Sequence, residues 1–383
     1  MNFEPLKDFL DNCLPMLGIP GSDTVIYKGR EKVFRYQSGY DNVALKTPVR
    51  PDALYHMYSV TKVSTCIAAT QLIERGEIMI TDPVSVYFPE YKNIKVRVKN
   101  ADGTEEIRPA KNTLLIKHLL SMTGGLDYDL NRPGIQRVKN KTGGICPTLD
   151  IVRALAEDPF VFEPGTDYRY SLCLDVIGGI IELVSGKKLS DYMKENIFDP
   201  LGMKNTSFGL TDSKLERLAT QYKYDGVTKS AVEIPKDFNP YVFGSEYDSG
   251  GAGLISCVDD QILLADALTH HGLGKNGNRI LSSWGVNLMR TNILDDVQYK
   301  TYNNNHSHIR GYGYGYGVRT NMHPESVGNI MPVGEFGWDG AKLSYLSSCP
   351  ESGISIFHAE HMGALHATVI PRLRNIIYSC MDY

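Results

Sequence analysis

The chain has no Cys-x-x-Cys pair, although its 383 residues include seven cysteines. These stand at 13, 66, 146, 173, 257, 349 and 380, odd in number and scattered, which argues against a zinc cluster or a disulfide framework. Cys66, Cys173 and Cys257 have apolar neighbours and read as small core residues; the pattern suits a reducing compartment, and a cytoplasmic location is expected. No apolar stretch reaches about 18 residues, so no membrane-spanning helix is expected. Residues 1–17 have neither a basic start nor a continuous apolar centre. They read as an amphipathic helix carrying Phe3, Leu6, Phe9, Leu10 and Leu14, not as a signal peptide. Basic residues number 40 against 44 acidic ones, with no basic run, which disfavours nucleic acid or an anionic membrane surface as partner. A G-x-S-x-G elbow, a G-x-G-x-x-G turn and an H-E-x-x-H pair are also missing. An α/β-hydrolase nucleophile, a dinucleotide cofactor and a metal site are therefore not expected.

What remains is an ordinary globular composition, 42% hydrophobic and 22% charged, long enough for one large or two interlocked domains. A hairpin is predicted over 23–38 around Lys28-Gly29-Arg30. Helical periodicity dominates from Ser59 to about 290, with helices at 114–120, 151–156, 174–185, 189–197 and 259–268. Strand character returns at 312–320, 331–336, 343–348 and 353–359, before a closing helix at 364–381 interrupted by Pro371. The alternation at 311–317 fits a strand with one tyrosine face and one glycine face. Strands at both ends imply a sheet domain from 1–62 and 291–383, a mainly helical domain at 63–290, and a cleft between them.

The chemistry centres on Ser59-Val60-Thr61-Lys62, which opens an apolar run ending at Gly76. On a helix, residues three apart share a face, so Lys62 would stand beside the Ser59 hydroxyl. A desolvated lysine can take a serine's proton, and a helix N-terminus favours a developing oxyanion. Alone, the pair also fits an N-cap serine followed by a solvated lysine. Three further segments bear on it. Tyr170-Ser171 precedes a helix, where a nearby lysine would lower the tyrosine's pKa; Tyr168 is a rival for that place. Gly250-Gly251-Ala252-Gly253 is a glycine-rich loop running into a helix, and Phe336-Gly337-Trp338-Asp339-Gly340-Ala341 looks like an edge-strand segment with backbone open to a ligand.

The order Ser59-x-x-Lys62, Tyr170-Ser171, Trp338-Asp339-Gly340 resembles the serine β-lactamase-like superfamily, closest to its class C branch of β-lactamases, DD-peptidases and family VIII carboxylesterases. Phe162-Glu163-Pro164-Gly165 and Pro200-Leu201-Gly202-Met203 add to the likeness. The resemblance implies an α+β fold, an antiparallel sheet flanked by helices plus an all-helical domain, with the active site in the cleft between. It implies Ser59 as acylated nucleophile, Lys62 and Tyr170 as its base system, and the backbone N–H groups of Ser59 and Ala341 as oxyanion hole. Two positions depart from the family. Leu172 stands where an asparagine amide would orient an acyl-amide. Trp338, Asp339 and Gly340 stand where a cation and a hydroxyl would grip a carboxylate. Leu172, Trp338, Asp339 and Gly340 are the expected substrate contacts, with Tyr128 and Tyr345 as candidate wall residues.

The expected activity is hydrolysis of a small ester through an acyl-enzyme, without a cofactor. Acyl transfer, small-amide or D-amino-acid peptide cleavage and β-lactam hydrolysis are alternatives, and a catalytically silent binding protein is a rival of another class. His358, Glu360, His361 and His366 lack metal-ligand spacing. His270-His271 and His306-x-His308 read as solvated loop residues, and Asn303-Asn304-Asn305 as a mobile loop.

Overall fold

The computed structural model describes residues 1–100 and 102–382. Its centre is an eight-stranded antiparallel sheet in which the two ends of the chain interleave. Across the sheet the strands run Tyr312–Tyr314, Arg319–Asn321, Phe336–Asp339, Ser344–Cys349, Ile354–Glu360, Gly21–Lys28, Glu31–Asn42 and Thr47–Pro48. The join lies where Val25 pairs with Phe357 and Ile26 with Ile356. Strand alternation sends these pairs to opposite faces. Val25 and Phe357 enter the large core shared with the inner helices, while Ile26 and Ile356 pack under the two terminal helices. The N-terminal helical segment buries Leu6, Phe9, Leu10 and Leu14 as its pattern predicts. This is the expected α+β arrangement.

Several elements differ from expectation. The 312–320 stretch is a hairpin, Tyr312–Tyr314 against Arg319–Asn321, with Gly317 in the turn at φ 67°. A Cβ at Gly317 would lie 2.5 Å from Cys66 Sγ, so the glycine lets the turn press on the helix Thr61–Glu74. The glycine face does serve close packing: a Cβ at Gly315 would meet the Met289 carbonyl oxygen at 2.0 Å. The strand expected at 331–336 begins only at Phe336. The closing helix His366–Cys380 runs through Pro371, held by buried Val369, Ile370, Leu373 and Ile377. Two hairpins, Lys95–Lys99 with Glu105–Pro109 and Gln221–Asp225 with Ser230–Ile234, interrupt the helical middle; their charged, largely exposed residues carry no apolar period. The asparagine run ends a helix, Asp296–Asn305, whose start is fixed by a reciprocal cap between Asp295 and Gln298. Among the described residues, no helix is long and apolar enough to cross a membrane, and no cluster of His, Cys, Asp and Glu suits a metal ion.

Candidate active site

Ser59 lies on the short 3-10 turn Tyr58–Val60, one step outside the helix Thr61–Glu74. Tyr58 is left-handed, at φ 47°, a conformation that non-glycine residues rarely adopt. The surroundings enforce it. Tyr58 OH donates to Gln221 Oε1 at 2.6 Å, Met57 N–H donates to Leu254 O at 2.9 Å, and Met57 O accepts from Ser344 Oγ at 2.9 Å. The backbone before the serine is thus pinned between the sheet and the glycine-rich loop, and Ser59 is left partly open to a cleft.

Lys62 is fully buried, and its ammonium donates to Ser59 Oγ at 3.1 Å, Tyr128 OH at 2.8 Å and Gly251 O at 2.6 Å. Burial pulls its pKa down to about 7, against the opposing charge of Asp175. The amine also stands 4.7 Å from the centre of the Tyr170 ring. The spacing of three therefore does bring amine and hydroxyl together.

Tyr170 lines the same cleft and accepts a hydrogen bond from Trp338 Nε1 at 2.8 Å, with the Ser59 hydroxyl as a second partner. Its pKa is not lowered as the sequence suggested. Burial lifts it well above the ordinary tyrosine value, outweighing both hydrogen bonds, because Lys62 meets the ring face and gives its N–H to Tyr128 instead. Tyr168, the rival, is buried against Tyr302 and Tyr314.

The opposite wall is the strand Phe336–Asp339 and its continuation. Pairing with Arg319–Asn321 stops at Gly337, so Trp338 and Asp339 are free on that side. A Cβ at Gly340 would lie 2.3 Å from Met57 O and 2.2 Å from Ser344 Oγ, so only glycine lets this strand end approach the backbone leading to Ser59. His366 Nε2 donates to Gly340 O at 2.8 Å and Gly340 N–H donates to Ser344 O at 2.7 Å, which fixes the peptide carrying Ala341. Ser59 and Ala341 line one cavity of about 230 Å³ with Tyr128, Tyr170, Trp338, Asp339 and Gly340.

Two expected contacts fall elsewhere. Tyr345 pairs with Asp339 and Leu346 with Trp338, so alternation puts Tyr345 on the face away from Trp338. There its hydroxyl accepts from Arg374 Nε at 2.9 Å, under the C-terminal helix. Leu172 is 1% exposed, turned into the core as the helix Cys173–Ser185 begins.

Sequence reasoning passed over Tyr241, His306, His308, Ile309 and His366, all of which line the cleft. His306 is not solvated; burial lowers its pKa to about 4. His308 Nε2 stands 3.5 Å from Asp339 Oδ2, and Arg319 Nη1 3.9 Å from Asp339 Oδ1. Burial works against the Asp339 charge, but His308, His366 and Arg319 outweigh it and hold the carboxyl well below its usual range. The His306-x-His308 spacing was visible, yet nothing local showed that it returns to the cleft.

Fold and site together define an α+β protein with a serine–lysine pair at the edge of an antiparallel sheet. The family model described as Beta-lactamase matches residues 6–358, and the chain belongs to that family. Esterase EstB of Burkholderia gladioli is 29% identical over 290 residues, 69% of this chain and 69% of that protein. Among solved structures, EstCE1, described as a hydrolase with promiscuous acyltransferase activity, has a TM-score of 0.78 and 25% identity over 98% of each chain. Unliganded simvastatin synthase LovD from Aspergillus terreus has a TM-score of 0.78 and 20% identity over 98% of each chain, a likeness of fold.

Proposed function

We propose that this protein is a serine hydrolase that forms an acyl-enzyme on Ser59, with small carboxylic esters as substrates. The carrying observation is the 3.1 Å contact between Ser59 Oγ and a fully buried Lys62 whose pKa falls to about 7. In its neutral form Lys62 accepts the hydroxyl proton as Oγ attacks the ester carbonyl. The oxyanion faces the Ser59 and Ala341 N–H groups, where each donor contributes about 3 kcal/mol in comparable sites. Collapse breaks the bond to the alcohol oxygen, which Tyr170 protonates, and water then attacks the acyl-enzyme by the reverse proton path.

Esters are favoured over lactams and peptides for three reasons. Leu172 offers no amide to the cleft, Trp338-Asp339-Gly340 supplies neither cation nor hydroxyl, and the ionised Asp339 repels a substrate carboxylate. The names of EstB and EstCE1 support this reading, and that of EstCE1 also favours acyl transfer to an alcohol as a second activity. A fluorophosphonate probe should place one adduct on Ser59, and Ser59→Ala should lose both adduct and turnover. With p-nitrophenyl acetate and a chromogenic cephalosporin on one preparation, kcat/KM should favour the ester by at least about 100-fold. Equal turnover of the two would make β-lactam hydrolysis the better reading.

A further inference from the structure

The helix Cys173–Ser185 is buried from Cys173 to Ile181, yet it carries Asp175 in its first turn, only 1% exposed. A carboxylate sealed in such surroundings is strongly unfavourable unless donors converge on it. Three do, all on Oδ1: Tyr247 OH at 2.8 Å, Ser249 Oγ at 2.7 Å and Gly251 N–H at 3.3 Å. Oδ2 has no hydrogen-bond partner.

Gly251 is also the residue whose carbonyl accepts from Lys62 Nζ at 2.6 Å. One peptide residue thus gives its N–H to Asp175 and its C=O to the amine beside the nucleophile. No side chain fits between them: a Cβ at Gly251 would lie 2.5 Å from Asp175 Oδ2 and 3.4 Å from Lys62 Nζ. The turn is anchored again where Thr65 Oγ1, one helical turn after Lys62, donates to Gly250 O at 2.6 Å.

We propose that Asp175 is the positioning residue of the Lys62 base: it clamps the Tyr247–Gly251 turn so that the Gly251 carbonyl aims the amine at Ser59, and its buried negative charge opposes loss of the lysine proton. The inference rests on Lys62 being the base in the acyl-enzyme reading. Lys62 faces Cys66 on its own helix, Cys173 and Asp175 on the neighbouring helix, the Tyr128 hydroxyl and the Tyr170 ring. After burial, which lowers the Lys62 pKa, Asp175 is the strongest influence and raises it; reciprocally, burial raises Asp175 and Lys62 lowers it. Tyr247, Ser249 and, behind Tyr247, Tyr91 complete the surroundings of the carboxylate.

The test is the pH dependence of two rates in the full-length protein: fluorophosphonate labelling of Ser59, and kcat/KM for p-nitrophenyl acetate. In the wild type both should rise through an acid limb near pH 7. In Asp175→Asn the ammonium gives up its proton more readily, so the limb should move to lower pH by about one unit. The plateau should drop roughly tenfold as the clamp loosens, which is about 1.4 kcal/mol. A merely structural role would lower rates without moving the limb, and an unmoved limb overturns the proposal. Should Asp175→Asn fail to fold by circular dichroism, Ser249→Ala decides. It keeps the carboxyl but removes a donor that favours its charged form, so a smaller shift in the same direction is expected, and no shift overturns the proposal. If the wild type itself is not labelled at Ser59, the acyl-enzyme reading falls and this inference with it. Labelling with an unmoved limb sinks the role of Asp175 alone.

Discussion

Lys62 and Asp339 flank the Ser59 cleft from different elements, and both are almost sealed from water, their side chains 0% and 10% exposed. Burial pushes each towards neutrality, yet they end in opposite states. Around Lys62 the contacts are a carbonyl, a phenol and an alcohol, with the one carboxylate, Asp175, set behind Gly251. Burial therefore wins, and the amine titrates near 7. Around Asp339 stand His308, Arg319 and His366, and their positive character overcomes the same penalty. Partners, not depth, decide which buried group keeps its charge. One side of the cleft accordingly offers a proton acceptor, and the other a fixed negative charge that discourages anionic substrates.

The largest effect should come from removing the base without removing its charge. Lys62→Arg cannot lose a proton, so kcat/KM for an aryl ester should fall by about 1,000-fold while circular dichroism is unchanged. Tyr170→Phe should be similarly damaging, and the double variant little worse than the poorer single one, because the pair acts as a unit. Near wild-type rates in Lys62→Arg would remove Lys62 from the base role.

Stability across pH probes the same contrast from the other direction. The folded protein holds Lys62 near 7, whereas an unfolded lysine titrates at about 10.4, so unfolding takes up a proton between those values. Wild-type stability should therefore gain from this group as pH rises from 7 to about 10.4, and the penalty should be complete below 7. Lys62→Met deletes a penalty on the order of 3–5 kcal/mol, offset in part by three lost hydrogen bonds. Calorimetry should find its Tm advantage over wild type greatest below pH 7 and narrowing towards pH 10. A difference independent of pH would contradict a neutralised Lys62.

Asp339→Asn should produce the smallest change and the opposite sign. The folded pKa of Asp339 lies below its unfolded value of about 3.9, so its stabilisation is complete above that pH and is lost as pH falls towards the folded value. The variant should be less stable than wild type by about 2 kcal/mol at pH 7, with the gap closing below pH 4. Its KM for an ester bearing a carboxylate should also fall, while a neutral ester is little affected. A gap that persists undiminished at pH 2 would show that packing, not charge, is the contribution of Asp339.

Much of the site was legible because its signals are local. Ser59 and Lys62 are three residues apart, and Tyr170 precedes a helix in the adjoining region. The end strands alternate strongly enough to reveal a sheet made from both termini. The failures are equally physical. Tyr345 is one residue from Leu346, and a strand's period of two sends that single step to the other face. The strand at 312–320 hid a turn because an isolated glycine reads alike in a bulge, a bend or a flat strand. Asp175 did leave a trace, a lone acid within Cys173-Leu174-Asp175-Val176-Ile177, since carboxylates are rarely enclosed without a purpose.

The sequence by itself determined the Ser59–Lys62 spacing, the family and the alternation that builds the sheet, because each depends on neighbours in the chain or on a short repeating period. Only the tertiary structure decided that Lys62 is sealed from water, that Gly251 joins it to Asp175, and that His308, Arg319 and His366 gather around Asp339. Those partners are 113 to 189 residues away from Lys62 or 20 to 31 from Asp339, as their numbers show. Ionisation is set by the dielectric and the charges within a few ångströms, and a sequence does not state which distant residues folding will bring that close.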